Sequence, residues 1–291
     1  MEKITNELEL QTIQKSRIGI IGLGNIGLPM AKGLIQAGIL REKQLFLSNR
    51  VRETTEMLSK DLTNFPEVVI AENNDDVAKN CDIIFVALKQ KQIQKEFYQW
   101  KELDILKKDA LLVSLAAGVR IDTLIKWLGN PSQPMARVMP NIAVAVGKGV
   151  FGWTVSDKVT IGQCKTLKYL LSTLGTECLV DSDEKIDTIT AVSGSCPAYF
   201  FYLAEEMIET AVQMGMQQKQ AQKIVQETLI GAATLLDQSQ SNVTTLLEQI
   251  ISKGGTTEAA LKVLYFRDII EKAMKSAKNK AAEIGNHFDL L

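Results

Sequence analysis

The chain contains a single histidine, His287, near its C-terminal end. Histidine bases and histidine-rich metal sites are therefore not expected, and no metal is assigned. Its four cysteines, Cys81, Cys164, Cys178 and Cys196, show no CxxC spacing. That excludes the usual zinc and disulfide frameworks and fits a reducing, cytoplasmic setting. A formal charge of -1 supplies no net basic field, so nucleic acid is not expected as a partner. No apolar run approaches a membrane span, and residues 1–16 lack the cationic and apolar pattern of a secretion signal; no membrane association is expected. What is present is ordinary globular material: 46% hydrophobic and 23% charged residues in 291, enough for a large core and about two domains.

Two glycine-rich segments stand near opposite ends. The first, Gly22-Leu23-Gly24-Asn25-Ile26-Gly27, follows the apolar run Arg17-Ile18-Gly19-Ile20-Ile21 and precedes a helix-compatible stretch at 28–37 that stops at Gly38. Strand, tight turn and helix in this order favour a dinucleotide site: one glycine for the turn, one for close approach of a pyrophosphate, one for helix packing. The candidates are Gly22, Gly24, Asn25, Ile26 and Gly27; a glycine-tolerant turn in another α/β protein fits the same motif.

An acidic residue is missing where one would select NAD. The second strand, Gln44-Leu45-Phe46-Leu47, ends in Ser48-Asn49-Arg50. An NAD site places Asp or Glu there for the ribose hydroxyls, whereas Arg suits a 2′-phosphate. Ser48, Asn49 and Arg50 thus favour NADPH, with NADH as an alternative cofactor. A plain surface arginine explains the position too, and Arg52 is placed to share the role.

Further apolar runs, Val68-Val69-Ile70, 83–88, 111–115, Arg137-Val138-Met139 and 150–154, alternate with short helical segments at 75–80 and 92–100. They read as buried strands of a doubly wound, Rossmann-like sheet that residues 150–154 complete. Ligands on such sheets bind beyond the carboxyl ends of the strands, which places Ala87, Lys89, Ala117, Met139, Pro140 and Asn141 beside the cofactor. A solvated Lys89 and a simple strand-end turn at Met139-Pro140-Asn141 are equally compatible with these positions.

Past Asp181 the spacing turns helical. Segments at 217–236, 244–251, 257–265 and 268–284 read as helices, several of them apolar on more than one face, which calls for cover from a second subunit. The division expected is an N-terminal extension at 1–16, a dinucleotide-binding domain at 17–180 and a helical domain for substrate binding and dimerisation at 181–291.

In order and spacing from Arg17 onward, Gly22-Leu23-Gly24-Asn25-Ile26-Gly27, Ala87-Leu88-Lys89, Ala116-Ala117-Gly118-Val119, Arg137-Val138-Met139-Pro140-Asn141, Ser193-Gly194-Ser195-Cys196-Pro197 and Gly254-Gly255-Thr256-Thr257 closely resemble the pyrroline-5-carboxylate reductases. The resemblance implies reduction of a small carboxylate-bearing imine, 1-pyrroline-5-carboxylate, to L-proline with NAD(P)H in proline biosynthesis. It also implies a homodimer, or a higher homo-oligomer, built by the helical domain. An imine needs little acid-base help, because a protonated ring nitrogen leaves a carbon that accepts hydride readily. The substrate carboxylate is expected at Ser252, Gly254, Gly255 and Thr256, on N–H groups at a helix start. The resemblance makes Thr257 the hydroxyl directed at the ring nitrogen; a helix cap is its simpler reading.

Where that family has Lys-Pro, this chain has Lys89-Gln90; where it has Asn-Thr-Pro, Asn141-Ile142-Ala143; where it has Ser-Gly-Ser-Gly-Pro, Ser193-Gly194-Ser195-Cys196-Pro197; and where it has Ser-Pro-Gly-Gly, Ser252-Lys253-Gly254-Gly255. Two alternatives therefore accompany the assignment: a divergent imine or ketimine reductase for another small carboxylate, and an NADP-binding regulatory paralogue without turnover.

Overall fold

The computed structural model describes residues 7, 10–264 and 267–289. Its strands are β1 (Ile18–Ile21), β2 (Leu45–Ser48), β3 (Val68–Ile70), β4 (Ile83–Val86), β5 (Leu111–Ser114), β6 (Met135–Met139), β7 (Gly149–Val155) and β8 (Gly175–Leu179). Every residue of β1, β2, β4 and β5 is buried, because helices cover both sides of a parallel sheet. The order is β3-β2-β1-β4-β5-β6-β7-β8, and the reversal beside β1 creates the crevice where doubly wound sheets bind ligands.

Residues 150–154 do not complete the sheet. The five-residue 3₁₀ turn Ile142–Val146 is too short for a parallel crossover, so β7 runs antiparallel to β6. A helix at Ile161–Ser172 then carries the chain to β8, parallel to β7. The largely exposed edge residues of β8 gave no apolar run to mark it.

The helices packed on this sheet are α1 (Gly27–Gln36), α2 (Arg52–Leu58), α3 (Asn74–Asn80), α4 (Gln90–Leu103), α5 (Ile121–Leu128), α6 (Ile161–Ser172) and α7 (Asp183–Ile189). One core joins the sheet to α1 and α6; the other joins it to α3, α4 and α5. From the N-terminal extension, Ile13 is fully buried in the first core, and Gln44 Nε2 donates to Ser16 O at 2.6 Å. Residues 1–6, 8 and 9 of that extension lie outside the described residues.

Two compact units result: Met1–Ser195 with Ser276–Leu291, and Cys196–Lys275. The break differs from the 180/181 division expected above. The chain leaves the sheet only after α7, which packs on β6 and β7, and after the π-helical turn Thr190–Gly194. The second unit comprises α8 (Cys196–Gln213), α9 (Gln218–Gln238), α10 (Val243–Ile250), α11 (Thr256–Val263) and the beginning of α12 (Arg267–Asp289). The end of α12 belongs to the first unit, where Phe288 meets Trp127 edge-on with ring centroids 5.5 Å apart. Tyr265, the end of one expected helix, lies outside the described residues. Among the described helices none is long and apolar enough to cross a membrane.

Candidate active site

At the end of β1 the backbone of Gly22 has φ +93°, and a side chain there would meet the Ala87 carbonyl. A Cβ on Gly27 would collide with Gly22 O at 2.0 Å. Both positions therefore demand glycine. A Cβ on Gly24 would meet nothing within 4 Å, so the space on that side is open to a ligand. Helix α1, which follows, has neither a side-chain cap nor an acidic residue in its first turn. An N-terminus left in that state favours an anion. Asn25 is exposed and Ile26 half-buried at this turn.

The segment after β2 does not act as one phosphate-binding unit. Ser48 is fully buried and its hydroxyl donates to Asn74 Oδ1 at 2.9 Å, so it faces the domain interior rather than a phosphate. That corrects its expected role: as the last residue of β2 it is covered by the start of α3. Asn49 Oδ1 accepts from Leu23 N–H at 3.0 Å, bracing the glycine turn, while Asn49 Nδ2 is buried without a partner among the described residues. Arg50 is exposed and lines an open cleft of about 230 Å³ with Asn73, Asn74, Leu88, Lys95 and Glu96. Arg52 pairs with Glu56 at 2.9 Å and with Glu72, which leaves the cation of this cleft to Arg50 and Lys95. Burial raises the Glu96 carboxyl above its ordinary range, against a hydrogen bond with Asn74 that lowers it.

Farther along the crevice, Ala87 is half-buried at the end of β4, and Lys89 is exposed at the start of α4. Gln90 Nε2 donates to Ala117 O at 3.0 Å, tying together the loops that follow β4 and β5. Met139 and Pro140 close β6. Asn141 accepts from Ala143 and Val150 N–H at 3.2 Å through Oδ1. Its Nδ2 donates to Ser193 O at 3.3 Å and Oγ at 3.2 Å. These bonds hold residues 139–141 against the π turn.

In the second unit, Gly254 has φ +75° and begins the turn into α11, whose N-cap is Gly255. Of the N–H groups expected to receive a carboxylate, that of Gly254 donates to Glu258 Oε2 at 2.6 Å and that of Gly255 to Ser252 O at 2.9 Å. Ser252 Oγ lies where a Cβ on Gly255 would stand. The chain thus holds a carboxylate of its own on this turn, one the sequence reading passed over. Thr256 is exposed and Thr257 half-buried in the first turn of α11.

Residues 183–284 match the family model described as pyrroline-5-carboxylate reductase dimerisation, and residues 17–118 match that described as NADP oxidoreductase, coenzyme F420-dependent. A pyrroline-5-carboxylate reductase of Pseudomonas aeruginosa is 31% identical over 94% of this chain and 98% of its own length. The chain belongs to the pyrroline-5-carboxylate reductase family. Among solved structures, the reductase of Coxiella burnetii superposes with TM-score 0.82 at 31% identity, covering 93% of this chain and 98% of that one. That of Plasmodium falciparum, with NADP bound, gives TM-score 0.80 at 25% identity, covering 94% and 99%.

Within this family the departures acquire structural content. Gln90 replaces a rigid proline by a side-chain bond to Ala117 O. Cys196 is half-buried, and burial raises its thiol pKa above the ordinary value. Ile142 and Ala143 enter a 3₁₀ turn that Asn141 caps. Lys253 sits in the exposed turn before Gly254. Sequence reading singled out Gln90 and Ser193 but missed Asn74, Lys95 and Glu258. For Lys95 a signal existed: Gln92, Lys95, Glu96 and Gln99 recur at three- and four-residue steps along one face of α4.

Proposed function

We propose that this chain is an NADPH-dependent pyrroline-5-carboxylate reductase that forms L-proline and works as a cytoplasmic homodimer. The observation that carries the reading is likeness over nearly the whole chain to relatives of that name, together with retention of Thr257 behind the Gly254-Gly255 turn. The residues present fit a dinucleotide. Gly22 and Gly27 exclude side chains, Gly24 lies open, α1 is uncapped, Asn49 Nδ2 lacks a partner, and Arg50 and Lys95 line one cleft.

When bound, NADPH supplies the hydride. The uncapped start of α1 would hold the pyrophosphate, and Arg50 with Lys95 the 2′-phosphate, which would discriminate against NADH. Met139, Pro140, Asn141, Ala87 and Ala117 would line the nicotinamide site. The turn from Ser252 to Thr256 receives the substrate carboxylate, which must displace Glu258 from Gly254 N–H. Thr257 donates a hydrogen bond to the neutral imine nitrogen, and as the carbon accepts the hydride the nitrogen takes a proton relayed through that hydroxyl from solvent, which leaves the threonine neutral and the product a secondary amine. Glu258 also favours a second reading, a reductase for a related cyclic imine whose carboxylate sits differently.

The test is steady-state oxidation of NADPH and of NADH by 1-pyrroline-5-carboxylate, with native protein and Thr257→Ala side by side. Strong turnover preferring NADPH, lost in the variant, is expected. Saturable NADPH binding without turnover of this imine, but with turnover of a homologous ring, would establish the second reading.

A further inference from the structure

Among the described residues, Arg137 is the only one of the largest fully buried side chains that carries a charge. It lies on β6 two residues before Met139, hence on the same face of the sheet. Its Nη1 donates to Asp183 Oδ1 and its Nη2 to Asp187 Oδ1, each at 2.7 Å. The Asp183 and Asp187 side chains are 20% and 4% exposed. Spaced four apart, they lie on one face of α7.

A buried ionic set is weak as a source of stability, since apolar side chains of equal volume often hold two elements as well or better. What such a set can supply instead is register, here through one guanidinium bonded to two carboxylates of α7. The reason for that constraint stands directly downstream. The chain from α7 enters the π turn Thr190–Gly194, closed by Ser195 N–H donating to Thr190 O at 2.9 Å. A π turn is rare, occurs mostly as a single turn among helices, and is frequent at functional sites. Downstream it is held by Asn141 on Ser193, and a Cβ at Gly194 would come within 2.5 Å of Met139 Cε. Upstream it is held by Arg137.

We propose that Arg137, clamped between Asp183 and Asp187, is a positioning residue for hydride transfer: it sets the π turn in register against Met139, Pro140 and Asn141. This rests on the reading that residues 139–141 wall the nicotinamide. Arg137 touches neither cofactor nor substrate and acts through the turn.

The experiment uses the full-length protein with the charge set neutralised as a whole, Arg137→Met with Asp183→Asn and Asp187→Asn, beside Asp187→Asn alone and Asn141→Ala. Folding is followed by circular dichroism, NADPH affinity by fluorescence, and kcat, KM and the primary isotope effect with NADPH deuterated at the transferred position. The folded triple variant should lose about tenfold to a hundredfold in kcat, with NADPH affinity within about threefold and a larger isotope effect, as for a misplaced reacting group. Should the triple variant not fold, Asp187→Asn is judged by the same criteria. A lowered melting temperature with kcat and isotope effect unchanged would reduce the clamp to a structural contact. Asn141→Ala separates the two levels. If it lowers kcat while the clamp variants do not, the clamp proposal fails and the nicotinamide wall stands; if it too leaves kcat and the isotope effect unchanged, the wall reading fails and the proposal with it.

Discussion

The two units of this chain bury their apolar residues very differently. In the first, Trp100, Trp127 and Trp153 are each at most 1% exposed, and two cores fill both faces of the sheet. In the second, only Ala221 and Val225 are buried among the described residues, while Phe200, Phe201 and Tyr202 are at least 60% exposed. A helical unit of this composition left in water is an incomplete solution to the burial problem. The first unit satisfies itself; the second, within the region matching the dimerisation model, is built to be completed by another copy of the chain. One half therefore reads as a self-contained nucleotide binder, the other as half of a shared helical body that carries Thr257.

The division of labour breaks most sharply at Thr257. Thr257→Ala should lower kcat by about 10²- to 10⁴-fold, as for loss of a positioned proton donor, while NADPH titration shows unchanged affinity, because binding resides in the other unit. Weakened NADPH binding in this variant would sink the assignment. Next come two substitutions chosen as a contrast. Trp127→Ala should destabilise the first unit by about 3–5 kcal/mol, with a melting temperature independent of protein concentration. Ile230→Glu should do little within a protomer but weaken association by about 2–4 kcal/mol, so that sedimentation shows monomer. A dimer unaffected by that charge would remove α9 from the interface.

Two smaller effects sharpen the reading of each site. Arg50→Ala should raise the KM for NADPH about tenfold while leaving that for NADH nearly constant, the signature of one charge-assisted phosphate bond. Equal losses with both cofactors would mean that Arg50 shapes the cleft without reading the 2′-phosphate. Glu258→Gln should lower the KM for the imine about two- to fivefold, since an anion at a helix start is worth a fraction of a kcal/mol to about one. A raised KM would show that Glu258 orders the turn instead of competing for it.

Much of this was legible beforehand because it depends on local rules. Gly22 and Gly27 are identified by spacing alone, and the fold supplies the colliding atoms that require them. The buried strands β1, β2, β4 and β5 announce themselves as apolar runs, and the helices past residue 196 by their period. Other features left no local trace. β8 is a half-exposed edge strand without an apolar run, and the direction of β7 follows from the length of one turn. Ser48 looked like a phosphate ligand because its neighbours in sequence are polar, yet a strand-end side chain points inward or outward according to what packs above it, here Asn74.

The sequence by itself determined the nucleotide-binding architecture, the family and the helical character of the second unit, since each rests on residue type and spacing over short stretches. Only the tertiary structure decided which polar groups are engaged. Arg137 between two aspartates that follow it by 46 and 50 positions, Asn141 on Ser193 across 52, and Gln90 on Ala117 across 27 are pairings that chain folding alone brings within bonding distance. A hydrogen bond requires partners within about 3 Å, and no periodicity in a sequence records which distant residues the packing of a sheet will bring that close.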